Sequence, residues 1–141
     1  MGSIRVTAAG IVVRKGKELL VQFGSDPIKG EKFARLIGGG VGFQEKAEDT
    51  LRREFREELG AELENIRLIE VVQNIFTYRG EKGHEIIFVY RADFKDPSFY
   101  QKELKILDSK HEDAGWVLLQ DVVEKKQIVY PALDYRRFAN S

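Results

Sequence analysis

Hydrophobic and polar positions along the chain change period several times, and each change predicts an element. Ile4 to Val13 (IRVTAAGIVV) is apolar at odd and even positions alike, the pattern of a strand buried on both faces. Lys15-Gly16-Lys17 reads as a turn, and Glu18 to Phe23 (ELLVQF) as the partner strand of a hairpin. Gly24 to Lys32 is polar and carries Gly and Pro, so a loop is expected before a short strand over Phe33 to Ile37. From Glu45 to Leu59 the period becomes helical. Ala47, Leu51, Phe55 and Leu59 recur every four residues as one stripe, and Gly60 stands where helices end. Two long strands, Arg67 to Tyr78 and His84 to Phe94, flank the turn-forming RGEKG and predict an antiparallel hairpin. Asp96 to Asp113 is polar and unassigned, and Gly115 to Leu119 reads as a last short strand. Asp121 to Lys126 and Pro131 to Phe138 read as short helices, the second with Pro in its first turn. Together these elements predict one α+β domain spanning residues 1–141, a mixed sheet with a central helix and terminal helices over its faces.

Composition narrows the function. Lys plus Arg equals Asp plus Glu at 23 each, so bulk charge points to neither a nucleic-acid nor a membrane partner. There are no cysteines, which removes disulfides and thiolate metal sites. The start, MGSIRVTAAG, has no long apolar run, and the longest apolar run, Ile86 to Tyr90, is too short to span a bilayer. A cytoplasmic enzyme or binding module is expected.

The helix carries an arrangement that structure alone does not explain. With Glu54 at zero on a helical wheel, Glu58 lies about 40° one way and Glu57 about 60° the other. Glu58 falls at the edge of the apolar stripe, while Asp49, Arg52 and Arg56 take the far side. Like charges at i, i+4 repel, desolvation adds to the cost, and the C-terminal half of a helix disfavours anions. A bound divalent cation would account for all three carboxylates, since hard cations collect oxygen ligands. The plainer alternative is an acidic face partly neutralised by Arg52, Arg53 and Arg56. Gly38-Gly39-Gly40 removes side chains just before the helix, where a bare carbonyl could add another oxygen.

Spacing decides between these readings. From Gly39 the chain runs Gly, five residues, Glu45, seven residues, Arg53-Glu54-Phe55, one residue, Glu57-Glu58, one residue, Gly60-Ala61. This resembles the Nudix box, with Ala61 smaller than the usual aliphatic residue at its last position. The resemblance implies the Nudix fold and Mg²⁺- or Mn²⁺-dependent hydrolysis of a diphosphate bond in a nucleoside diphosphate-linked substrate. The expected substrates are a nucleoside triphosphate, a nucleotide sugar or a dinucleoside polyphosphate. It further implies that Glu54, Glu57 and Glu58 bind metal with the Gly38 carbonyl, and that Glu45 pairs with Arg53 to hold the loop on the helix. The general base would be a box glutamate or a glutamate of a later loop. In Leu107 to Gly115 Glu112 is the first candidate and Asp113 the second, with Glu85 a third, each set against a solvated polar residue. His84 and His111 lack a second histidine at ligand spacing and are read as non-metal residues.

Phe33, Arg35, Phe76 and Tyr78 flank the expected cleft. Arg35 is a candidate phosphate contact, and Phe33 and Tyr78 are candidate stacking residues, each set against ordinary strand packing. The proline that marks ADP-ribose hydrolases of the family would fall on Phe76, so that mark is missing, and Tyr78 lies near a tyrosine found in many dinucleoside polyphosphate hydrolases. Ile37, Gly42 and Gln44 depart from common box flanks and bear on loop shape and substrate fit. The alternative function is a regulatory module of the same fold that binds a nucleotide without cleaving it. An intact box and a chain of 141 residues favour the enzyme. Many relatives are dimers, so a homodimer is compatible with the resemblance.

Overall fold

The computed structural model describes residues 2–107 and 113–140. Two sheets and one long helix make the frame, an α+β architecture. The first sheet has the order β5-β1-β7-β6, from Ile37–Gly40, Ile4–Ile11, Glu81–Phe94 and Leu63–Tyr78. β1 runs parallel to β7 and antiparallel to β5, with Ala8 opposite Gly39 and Phe88. The second sheet joins β2 (Val13–Arg14), β3 (Glu18–Asp26), β4 (Glu31–Arg35) and β9 (Val129–Tyr130), and β8 (Ala114–Leu118) pairs with β3. The long helix α1 is Ala47–Leu59, and a short helix α2 is Leu119–Val123.

Two sheets replace the single mixed sheet expected from the apolar pattern. The continuous run Ile4 to Val13 breaks at Val12 and changes sheet, and the run Phe33 to Ile37 does the same at Leu36. Both crossing residues are buried, so burial continues through the break and period alone cannot reveal it. Alternation along residues 8–13 feeds two cores. Ala8 and Val12 belong to the core around Leu51, Phe55 and Phe94. Ala9, Ile11 and Val13 belong to the core between the sheets, with Leu19, Val21, Leu36, Ile87 and Val89.

The helix sits close on β1 because Gly10 has no side chain. A Cβ there would lie 2.9 Å from the Phe55 ring. Leu51 and Phe55 are fully buried, as the four-residue stripe requires. Gly60 ends the helix in the left-handed region at φ 69°, and the N–H groups of Gly60 and Ala61 return to the carbonyls of Arg56 and Phe55.

Other boundaries differ from expectation. The helix begins at Ala47, so Glu45 lies in the preceding loop. The turn inside RGEKG shrinks to Arg79-Gly80, both at positive φ, and the strands extend to Tyr78 and Glu81. α2 starts two residues before Asp121. The helix expected over Pro131 to Phe138 is reduced to a 3-10 turn at Tyr135–Phe138. Proline biases Tyr130 toward extended backbone, which here pairs beside β4, and the Tyr130-Pro131 peptide is cis. No helix among the described residues is long and apolar enough to cross a membrane.

Candidate active site

Arg53 is the hub of the box. Its Nε and Nη2 each donate at 2.9 Å to one oxygen of Glu45, Nη1 donates to Glu54 at 3.0 Å and to Glu57 at 3.2 Å, and Nη2 also reaches the Gly40 carbonyl. Glu45 further accepts from Thr50 Oγ1 at 2.6 Å and from the Gly42 N–H. The bidentate guanidinium, then the hydroxyl, then the amide hold the Glu45 carboxyl down to about 2. Glu45 in turn raises the Arg53 guanidinium further above its usual value. Because Glu45 precedes the helix, this pair ties the loop to α1 in the way the box resemblance implies.

The three helix glutamates have different surroundings. Glu54 is largely covered and Glu57 is half-exposed, with side-chain exposures of 14% and 51%. Glu58 is buried at 8%. Glu54 folds against β5, where a Cβ on Gly39 would lie 2.3 Å from its carboxyl carbon. The space of a side chain at residue 39 is thus filled by a carboxylate. Gly38 has a separate reason to be glycine, since a Cβ there would meet the Ala8 carbonyl oxygen at 1.9 Å. Among the described residues no three Asp, Glu or His side chains converge as a metal-binding group. Arg53 Nη1 instead bridges Glu54 and Glu57. The donor chemistry still suits a hard divalent cation. It consists of carboxylate oxygens on one helix face against bare glycine backbone, with no cysteine in the chain to supply a thiolate.

Gly38 and Gly39 also line a cavity of about 480 Å³ that runs away from the helix between the two sheets. Its wall includes Arg5, Arg35, Asn74, Glu85, Leu36 and Ile87 and ends among Phe33, Phe76, Tyr78 and Tyr130. The volume is in the range of ordinary ligand pockets. Arg35, Phe33 and Tyr78, the candidate substrate contacts, are all on this wall. Phe33, however, is only 9% exposed, its ring boxed in by Tyr78 at 5.9 Å and Tyr130 at 5.5 Å and lying under Gly24. Tyr78 keeps partial exposure.

Of the base candidates outside the box, Glu112 lies outside the described residues, as does His111. Asp113 is not on the cavity wall; its carbonyl accepts from the Phe23 N–H. Glu85 is on the wall, 3.5 Å from Arg5 in an ion pair. His84 pairs across the sheet with Ile4 and Ile75.

Sequence reasoning missed Asp26, Asn74, Tyr130 and Arg5. Asn74 could have been found, because Asn74, Phe76 and Tyr78 share one face of a strand at period two. Tyr130 could not, because only the parallel pairing of β9 with β4 carries it to the cleft. There its hydroxyl donates to Glu31 at 2.9 Å, and burial followed by Glu31 pushes the phenol up.

The comparison with family models decides the family. The NUDIX domain model matches residues 4–135. This chain belongs to the NUDIX family. It is 36% identical over 95 residues to nucleoside triphosphatase NudI of Escherichia coli O139:H28 (strain E24377A / ETEC), and equally to NudI of Shigella flexneri. The alignment spans 62% of this chain and 63% of the length of those NUDIX relatives. Among solved structures, a MutT NUDIX hydrolase from Burkholderia pseudomallei matches at TM-score 0.60 and 26% identity, covering 96% of this chain and 94% of that one. A NUDIX hydrolase from Nitrosomonas europaea matches at TM-score 0.63 over 95% and 85%; at 17% identity it bears on the fold alone.

Proposed function

We propose that this chain is a Mg²⁺- or Mn²⁺-dependent nucleotide pyrophosphohydrolase acting on a nucleoside triphosphate or a related diphosphate-linked nucleotide. The observation that carries the reading is the Glu54 carboxylate packed on the bare backbone of Gly39, a residue that also lines the inter-sheet cavity. The relatives named nucleoside triphosphatase support the triphosphate over the other substrate classes.

Glu54, Glu57 and Glu58 would hold the cation, with the Gly38 carbonyl beside them. When bound, such an ion neutralises diphosphate oxygens and makes a water more acidic. The chain's own part is positioning. Arg53, fixed by Glu45 and by the Gly40 carbonyl of β5, orients Glu54 and Glu57. Arg35 and Arg5, on the cavity wall, would meet phosphate oxygens. Tyr78 offers a ring to a base, and Phe33 backs that ring. A carboxylate oxygen of the box, or of Glu112, takes the proton from the attacking water.

The experiment is product release with Mg²⁺ across nucleoside triphosphates, nucleotide sugars, ADP-ribose and dinucleoside polyphosphates, with Glu57→Gln as control. Glu57-dependent cleavage of one class is expected. Silence across the panel, with nucleotide binding retained, would replace the enzyme by a nucleotide-sensing module.

A further inference from the structure

Asp26 is an acid with no part in the chemistry above. It is 2% exposed, at the end of β3, and it lines the outer end of the cavity. Its two oxygens have separate jobs. Oδ1 accepts from the N–H groups of Ile28 and Lys29 at 3.0 and 3.3 Å and shapes the turn into β4. Oδ2 accepts at 2.8 Å from the N–H of Arg79, which belongs to the β6–β7 turn of the other sheet.

The contact with Arg79 continues into the cavity wall. Arg79 Nη2 donates back to the Ser25 carbonyl at 3.3 Å, and Nε donates to the Tyr78 hydroxyl at 2.8 Å. The Tyr78 ring then meets the edge of Phe33 on β4. A closed circuit thus runs from sheet to sheet: Asp26, Arg79, Tyr78, Phe33. Near the box the sheets are joined by an apolar core. At this end a buried carboxylate joins them.

We propose that Asp26 is a positioning residue for substrate, a latch that locks the two hairpin tips together and fixes Tyr78 as a wall of the base-binding end of the cavity. This placement of the base rests on the hydrolase reading above; the latch itself rests on the geometry of residues 26 and 79. A latch that acts only on the base end alters the binding of a nucleotide more than the cleavage of its phosphates.

Asp26→Asn separates the two jobs of the carboxylate. The amide oxygen can keep the turn bonds, but the amide nitrogen then faces the Arg79 N–H, donor against donor. Hydrogen exchange reads the latch directly, and the Arg79 amide is expected to exchange at least about thirtyfold faster in the variant. Steady-state kinetics on a nucleoside triphosphate reads the function, with KM up about tenfold and kcat within about twofold. If the wild type cleaves no nucleotide of the panel, the hydrolase reading fails by itself, and the dissociation constant of the same nucleotide by calorimetry takes the place of KM. If the variant does not fold, exchange at Arg79 in the wild type still decides. Nucleotide should slow it by about threefold or more, and no change would overturn the latch. Unchanged exchange at Arg79 in a folded variant overturns the proposal. So does faster exchange with unchanged KM, and so does a loss confined to kcat, which marks a structural effect only.

Discussion

The two ends of the cavity are built in opposite ways. At the box end, Gly38 to Gly60 supplies the glycine edge, the carboxylates and the arginine hub from one continuous stretch. At the outer end, Asp26, Phe33, Tyr78 and Tyr130 come from four separate strands in two sheets. The first end is a local device: a loop clamped onto a helix by a bidentate ion pair. The second exists only after both sheets have formed and packed. On the function proposed above, chemistry that must be held to a fraction of an ångström would sit on the local device, and recognition of a particular nucleotide would be left to the assembled end. Changes at the first should therefore strike turnover, and changes at the second should strike KM.

The largest effect is expected from Glu57→Gln, about 10³-fold or more in kcat with the fold intact by circular dichroism, because a neutral amide cannot replace a metal-binding or proton-accepting carboxylate. Turnover at wild-type rate would remove the box end from the chemistry altogether. Next come two neighbouring glycines that should fail differently. The nearest atoms to a Cβ at 39 are the carboxylate end of the Glu54 side chain, so Gly39→Ala should melt near the wild-type temperature yet lose about 10²-fold in kcat as the carboxylate is displaced. Alanine at 38 meets the Ala8 backbone oxygen at 1.9 Å, so Gly38→Ala should lower the melting temperature before any question of activity arises. If both variants melted alike, the glycine edge would be a turn requirement and not a carboxylate seat.

The same contrast explains what the sequence makes legible. The Gly39-to-Ala61 spacing and the Ala47, Leu51, Phe55, Leu59 stripe are short-range patterns, and both the helix and the family assignment follow them. The Glu45–Arg53 pair is eight residues apart and was implied by the box alone. The sheet split was hidden because Val12 and Leu36 are as buried as their neighbours. Tyr130 precedes a Pro131 that reads as a helix start, and its partner Glu31 is 99 residues away. Asp26 sat in a segment read as a polar loop, yet a buried acid is defined by the donors around it, and one of those is 53 residues downstream. Spacing in sequence encodes the box. The outer end is encoded in pairings that no local pattern displays.

Stability gives a finer reading of the box end. The Glu45 carboxyl is held down to about 2 against an ordinary value of 4.5. Its folded value is depressed, so its contribution is complete above about 4.5 and is lost as pH falls from there through about 2. Glu45→Gln should lower the melting temperature at pH 7, and the gap to wild type should close over that acid window. A gap that stayed constant down to pH 2 would mean that the charge on Glu45 is not what secures the loop. Millimolar Mg²⁺ should raise the wild-type melting temperature by linkage, and less so in Glu57→Gln. An equal rise in both would place the bound ion elsewhere.

The smallest effect tests the outer end at a single hydroxyl group. Tyr130→Phe keeps the ring that packs on Phe33 and removes only the hydroxyl that donates to Glu31. One neutral-to-charged hydrogen bond in a partly open site is worth on the order of 1 kcal/mol. If the outer end recognises the nucleotide, KM for the preferred nucleoside triphosphate should rise about threefold while kcat stays within error. The released Glu31 carboxylate then faces the cavity and should weaken binding further at low salt, because an extra anion repels a polyphosphate. A lower kcat with unchanged KM would reverse the assignment of the two ends. It would mean that the local clamp on α1 and the assembled aromatic end are coupled across the inter-sheet core, so that loosening one reaches the reacting phosphates at the other.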